Sequence, residues 1–261
     1  MYENTYVPLH LRSSFSLLRG CRSPEELCRD AVRSGYSAAG LADINNFYGA
    51  VRFIRAARRE EIRPVIGVEV ELGGVSLFTA YCRDRTGFAR ANRLISGLLE
   101  EREDTGFDPL SMLEEEGWEG LVLLTSRRET AERLSRRERR DLYCMLVWGR
   151  PVREAVRWGG ELGLPFAAVN TAVYTCGEER DLYRMLRAVD ENTTVDVLPP
   201  AETLSPRHRA ASAAEMQRYF SALPEALANS MRIVRECSGE LLPKRYVFPR
   251  FQGMSPEEEF A

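Results

Sequence analysis

Three stretches of the chain end on residues that could do chemistry together. YVPLHLRSSFSLLRG (6–20) delivers His10 and Arg12. GLADINNFYGAVRF (40–53) delivers Asp43, Asn45 and Asn46, and RPVIGVEVEL (63–72) delivers Glu69. Each polar tip lies just past an apolar run of strand length. Consecutive strands that offer polar tips at one end are how a parallel α/β sheet or barrel builds a site. These tips are therefore expected to face one pocket. By type, Asp43 and Glu69 are candidates for acid or base work, and Arg12 with Arg19 for an anion site. The blander use of the same groups is an Arg–carboxylate network, or carboxylates bound to backbone donors at strand ends. Asn45 and Asn46 suit a turn or an N-cap before the following helix.

The elements that must hold these tips follow from local patterns. Residues 6–11 form a first strand candidate. Ser23-Pro24-Glu25-Glu26 starts a helix, with Ser23 as N-cap, Pro24 in the first turn and carboxylates at the positive helix end. Gly35 stops it. A strand at 37–41, a helix at 46–61 and a strand at 63–70 complete β-α-β-α-β, which argues for parallel strands with right-handed crossovers. Strands then follow at 75–81, 121–124, 142–147 and 166–169, the last ending at Asn170. Helices are expected at 86–101, 108–116, 151–162, 178–189, 213–220 and 224–237, and an arginine-rich helix or pair of turns at 127–140. Seven or so β/α alternations predict one barrel-like α/β domain over 1–200 and an appended helical segment over 201–247. The Pro- and Glu-rich tail, 248–261, is expected to be loosely ordered.

Bulk properties narrow the function classes. The 261 residues are 44% hydrophobic with net charge −3, so a sizeable core is available and nothing global points to nucleic-acid or membrane binding. Lys244 is the only lysine; the arginine excess reads as compositional bias. Six scattered cysteines without a Cys-x-x-Cys pair argue against a disulfide framework or zinc knuckle, and Cys144 and Cys176 read as packing residues. No signal sequence or membrane-length apolar run is evident, so a soluble cytoplasmic protein is expected. The arginines of 127–140 alternate with Glu129, Glu132 and Glu138, as on a solvated helix face. P-loop, dinucleotide-fingerprint, His-Glu-x-x-His and Ser/His/Asp patterns are not evident.

Longer stretches carry a resemblance. SPEELCRDAVRSGYSAAGLADINNFYGAVRFIRAARREEIRPVIGVEVE, RDRTGFARANRLIS, EGLVLLT, LPFAAVNTAVY, ENTTVD, AEMQRYFSALPEALANSMRIVREC and YVFPRF occur in order. Together they resemble the PHP (polymerase and histidinol phosphatase) domain at the N-terminus of bacterial DNA polymerase III alpha subunits and their error-prone relatives. The resemblance implies a distorted (β/α)7 TIM-like barrel with a C-terminal helical appendage. In metal-competent members it implies His, Asp and Glu side chains at the strand ends holding up to three divalent ions. Those ions support phosphoester hydrolysis, in some polymerases a 3′–5′ exonuclease.

Matched position by position, the site departs from that pattern. The His-x-His motif is His10-Leu11-Arg12 here, and the Asp-His pair is Asp43-Ile44. Glu69 matches the family glutamate. Further family histidines fall on Leu77 or its neighbour, Val173 and Tyr183, while Asn170 and Tyr174 persist. His208, the second of two histidines, lies outside these motifs. The metal remnant is thus His10, Asp43 and Glu69, with Arg12, Arg19, Asn45, Asn170 and Tyr174 as pocket residues. No cofactor is expected; Mn²⁺, Zn²⁺ or Mg²⁺ enters only if the remnant works. Arg12 is expected to replace a metal by pairing with Asp43 or Glu69.

The expectation is a catalytically degenerate module of DNA replication or repair. The family parent is a DNA-directed DNA polymerase (a nucleotidyltransferase), but no palm-type aspartate site is present and this chain alone is not expected to be active. Expected partners are a polymerase core, in the same or a separate chain, and a proofreading exonuclease subunit, with DNA contacted only indirectly. The chain ends where such a core would begin, so it is a fragment, half of a split polymerase or a free-standing protein. A residual phosphoesterase or exonuclease, and a binder of phosphorylated ligands, are the alternatives.

Overall fold

In the computed structural model, residues 6–100, 106–173, 178–198, 209–237 and 240–242 are described. The 248–261 tail, Tyr174, Cys176, His208 and Lys244 lie outside them. Eight strands are described: β1 (His10–Leu11), β2 (Ala38–Ile44), β3 (Arg63–Leu72), β4 (Val75–Cys82), β5 (Leu121–Thr125), β6 (Leu142–Val147), β7 (Phe166–Val169) and β8 (Thr171–Ala172). They form one sheet in the order β7-β6-β5-β4-β3-β2-β1-β8. Only Asn170 separates β7 from β8, so the two edges of the sheet are one kinked strand and the sheet closes on itself. The seventh expected strand is therefore two by hydrogen bonding: its first half pairs with β6 and its second with β1.

The barrel is distorted because β4 runs antiparallel to both neighbours. Gly73 and Gly74 explain the reversal. Both have positive φ (57° and 76°), the backbone of a tight hairpin turn that other residues resist. The first strand is shorter than its apolar run predicts, since Pro8 has no N–H to give to a ladder. Its carbonyl instead accepts from Gly40 N. A Cβ at Gly40 would sit 2.1 Å from the Leu9 carbonyl oxygen, so only glycine admits this crossing.

Helices α1 (Pro24–Arg33), α2 (Ala50–Arg59), α3 (Arg85–Glu100), α4 (Pro109–Glu116), α5 (Arg128–Arg137) and α6 (Arg153–Glu161) connect the strands; α7 (Glu178–Asp190), α8 (Ala213–Tyr219) and α9 (Pro224–Glu236) follow. Ser23 caps α1 as its sequence predicts, and Glu26 reaches back to complete a reciprocal capping box. The second helix starts at Ala50, later than its periodicity suggests. Asn45 adopts φ 51°, and the Asn46 side chain holds the turn by accepting from Tyr48 N.

Strand alternation separates two cores. Leu41, Ile66, Val68, Phe78 and Ala80 face the helices, against side chains such as Phe53, Ile54 and Leu94. Val65, Tyr81, Val122, Leu124, Tyr143 and Met145 fill the barrel. From α9, Ile233, Val234 and Cys237 join this inner cluster, while Ser230 Oγ and Asn229 Nδ2 donate to the Ala168 and Phe166 carbonyls of β7. One end of the barrel is thereby plugged. The other end, where β1, β3, β5 and β6 finish, carries the polar tips.

Candidate functional site at the barrel mouth

Glu69 is the centre of the open end. It lies near the end of β3 on the inward face and is 3% exposed. One of its oxygens, Oε2, takes three donors: His10 Nε2 at 2.9 Å, Arg12 Nε at 2.9 Å, and Arg12 Nη2. His10 and Arg12 reach it because they alternate with Leu11, which points outward into the helix layer. Burial alone would raise the Glu69 carboxyl. The Arg12 guanidinium and His10 outweigh that and hold it well below the usual carboxylate range. The pairing that the sequence left open between Asp43 and Glu69 is thus made with Glu69.

Asp43 does not join this cluster. Ala42 faces the interior, so its neighbour Asp43 faces out of the barrel. There its carboxylate accepts from Ser13 N, Ser13 Oγ and Ser16 Oγ, each at 2.7 Å, and so pins the loop after β1. Burial pushes the Asp43 carboxyl above its ordinary range, against these hydrogen bonds. A Cβ at Gly49 would lie 2.9 Å from Asp43 Oδ2, so the start of α2 packs directly on this knot.

The other expected pocket residues mostly serve the frame. Arg19 grips Glu71 through Nη1 (2.9 and 3.0 Å) and Asp190 through Nε (3.2 Å), tying the β1 loop to β3 and α7. Asn45 exchanges two hydrogen bonds with the backbone of Glu71 (2.7 and 2.8 Å), extending the β2–β3 ladder by a side chain. Asn170, at the β7–β8 kink, accepts from Ala211 N at 2.7 Å and anchors the chain ahead of α8. Tyr174 lies outside the described residues.

Above Glu69 opens a pocket of about 360 Å³. His10, Arg12, Glu69 and Glu71 line it together with Ser76, Ser126, Arg127, Arg150 and Thr171. Sequence reasoning missed Ser76, Ser126, Arg127 and Arg150. The signal for two of them was available, since Ser126-Arg127 follows the apolar run of β5 as a polar tip follows each of the first strands. The alternation with glutamates instead groups Arg127 with the arginines of a solvated helix.

Leu77, Val173 and Tyr183, at or beside positions where the resemblance expects histidines, make apolar or aromatic contacts. Val173 and Tyr183 are buried against each other, with Cys21 packed beside them. Leu77 packs on the outer core. Groups of three or more His, Cys, Asp or Glu side chains placed to share a metal ion are absent among the described residues. Nor is any described helix long and apolar enough to cross a membrane.

Comparison with known proteins agrees with this architecture. An error-prone DNA polymerase of Mesorhizobium japonicum is 28% identical over 97% of this chain and 25% of its own length. The DNA polymerase III subunit alpha of Escherichia coli is 26% identical over 96% of this chain and 24% of its own length. The chain thus spans about a quarter of these relatives. A solved Bifidobacterium adolescentis structure, named for metal-dependent phosphoesterase chemistry, matches at 14% identity and TM-score 0.43 over 63% of this chain and 86% of its own. That score is too low to carry an argument. The PHP domain profile matches residues 8–145, more than half of the 261, and with the closed barrel and its polar strand tips this places the chain in the PHP domain family.

Proposed function

We propose that this PHP barrel is catalytically inactive and serves as a structural and interaction module of a C-family DNA polymerase, in bacterial replication or repair. The observation that carries the reading is the triple engagement of Glu69 Oε2 by Arg12 and His10. A guanidinium bonded to the buried Glu69 carboxylate supplies the positive charge that a divalent ion would otherwise bring. With Asp43 turned outward, His10 and Glu69 are the only members of the expected ligand set that meet. They are bonded to each other, so these donors do not fit a multi-metal site.

An interaction role has support on the surface. Leu182, Met185 and Val189 form a stripe along α7 that is 43%, 56% and 65% exposed. Isolated exposed apolar residues are ordinary, but a stripe at helical spacing suits packing against a further domain or subunit. The polymerase relatives are about four times longer than this chain. A polymerase core, in the same or a separate chain, is therefore the proposed partner, with a proofreading exonuclease subunit as a second candidate.

The test is metal stoichiometry. After loading with Mn²⁺ or Zn²⁺ and removal of free ion, elemental analysis is expected to give fewer than about 0.2 ions per chain. One or more ions per chain, lost in Glu69→Gln, would overturn the proposal and call for nuclease and phosphatase assays. Replacing Arg12 by His tests the same point from the other side. On this reading the variant loses stability and gains no metal.

A further inference from the structure

The plugged end of the barrel carries more positive charge than its ion pairs consume. A second cavity, of about 390 Å³, opens there between the turn before β6, the approach to β7 and the last turns of α9. Arg83, Arg139, Arg140 and Arg232 line it, against two carboxylates, Asp141 and Glu236. Arg83 bonds both carboxylates, and Arg232 shares Glu236 at 2.6 Å. Arg140 stays 3.7 Å from Asp141 with its side chain 80% exposed, beyond ordinary hydrogen-bond distance. The exposed Arg139 has no ion pair among the described residues. Its guanidinium lies over Gly163, where an added Cβ would be 3.6 Å from Nη1. Four cations thus face two anions around one cavity.

A buried hydroxyl shows what kind of ligand this charge suits. Tyr143 of β6 belongs to the inner core and is 2% exposed, yet it lines this cavity. Its hydroxyl has no hydrogen-bond partner among the described residues, and it is not one of the unpartnered polar atoms sealed from solvent. A buried tyrosine hydroxyl ordinarily finds a partner, so this one is a group that a ligand can satisfy. Burial raises the Tyr143 hydroxyl above its ordinary range. It therefore stays protonated at neutral pH and offers a donor.

We infer that the plugged end of the barrel binds a phosphate group, free or carried by a small molecule, with Tyr143 donating from the barrel wall and Arg139 and Arg232 closing over the anion from the turn before β6 and from α9. Forked guanidinium groups match phosphate oxygens. Donors from three separate elements suit a tetrahedral group, whose oxygens point apart, better than a planar carboxylate. A volume of about 390 Å³ admits a phosphate with a small substituent. The sequence placed an anion site at Arg12 and Arg19, but both are committed to glutamates at the mouth. Arg139 reads in sequence as part of a solvated helix, whereas in the structure it lies beyond the end of α5. Because the ligand would bridge the turn before β6 to α9, it would tighten the plug. The inference does not depend on whether the mouth is inactive.

The experiment is calorimetric titration of the full chain with inorganic phosphate, ribose 5-phosphate and malonate, in EDTA and about 0.15 M NaCl to screen loose surface charge. Saturable phosphate binding is expected, with a matching rise in melting temperature. Tyr143→Phe should weaken it about 5-fold, and Arg139→Ala/Arg232→Ala at least about 10-fold. Tyr143→Phe removes a hydroxyl without a partner, so without phosphate it should melt like the parent. Arg58→Ala, an exposed arginine on α2, is expected to bind like the parent. Tighter binding of inorganic phosphate identifies the free ion as the ligand; tighter binding of ribose 5-phosphate identifies a small-molecule ester. Both support the inference. Absence of saturable binding, binding unchanged in both site variants, or an equal loss in Arg58→Ala overturns it. Malonate binding as tightly as phosphate overturns the phosphate assignment. Binding lost in Arg127→Ala but kept in Arg139→Ala/Arg232→Ala places the anion at the mouth and also overturns it.

Discussion

The two ends of the barrel use the same chemistry in different surroundings. At the plugged end Arg83 forks onto Asp141 (2.9 and 2.7 Å) and also bonds Glu236 of α9 at 2.8 Å. At the mouth Arg12 forks onto Glu69. The difference is water. The Arg83 network stays partly solvated, with side chains 25%, 14% and 27% exposed, whereas the Glu69 side chain is 4% exposed. Partly solvated pairs gain little because water competes for both charges. A buried carboxylate has no such alternative, and each partner becomes necessary because the other is present. The plugged end is a stitch between α9 and the barrel. The mouth is a charged centre that an apolar pair of similar volume is expected to replace at little cost in stability.

That contrast can be broken by mutation. Arg12→Ala leaves Glu69 buried without its guanidinium partner and is expected to cost about 3–5 kcal/mol in urea unfolding. Arg12→Met combined with Glu69→Leu should recover most of that loss. If Arg12→Ala costs no more than the equivalent change at the other end, the distinction between the two ends fails.

Acid sharpens the comparison with an intermediate effect. The Glu69 carboxyl is held low in the folded protein. Its stabilisation is therefore present above the unfolded carboxylate value, about 4.3, and is lost as pH falls through that value toward the folded one. Asp43 has the opposite sign, since its folded carboxyl is raised. Its contribution is present below the unfolded value, about 3.9, and fades as pH rises through the folded one. Urea midpoints measured below about pH 5 should thus fall more steeply in the parent than in Arg12→Met/Glu69→Leu. Parallel curves would show that Glu69 is not the group responsible.

The smallest effect belongs to the plugged end. Arg83→Ala is expected to cost about 1 kcal/mol or less, and the difference from the parent should shrink as salt is raised. A loss comparable with that of Arg12→Ala, insensitive to salt, would mean that α9 depends on this network and not on Ile233, Val234 and Cys237.

Local order was legible wherever a neighbour in sequence enforces it. The capping box at Ser23, the Gly73-Gly74 turn and the strand periods depend on residues a few positions apart, so they can be read from the chain. The closure of the barrel was only partly legible. An apolar run ending in Asn170 looks like one strand, and nothing local says that its two halves pair with opposite edges of the sheet. At the site, His10, Arg12 and Glu69 were named from their positions at strand ends, and they do meet. The strand-end pattern groups Asp43 with them as well, but one step along a strand reverses the face, and Asp43 lies on the outer one.

By itself the sequence determined the alternation of strands and helices, the end of the barrel at which polar groups collect, and the loss of the expected histidines at Ile44, Val173 and Tyr183. Periodicity, caps and residue identity carry that information. Only the tertiary structure decided that Arg12 takes Glu69 and leaves Asp43 to Ser13 and Ser16. It also decided that Arg19 is consumed by Glu71 and Asp190, and that Arg127 and Arg150 converge on one cavity. Those outcomes depend on which face of a strand a side chain occupies and on which strands close the ring. Both are properties of the assembled barrel, set by pairing between residues far apart in the chain.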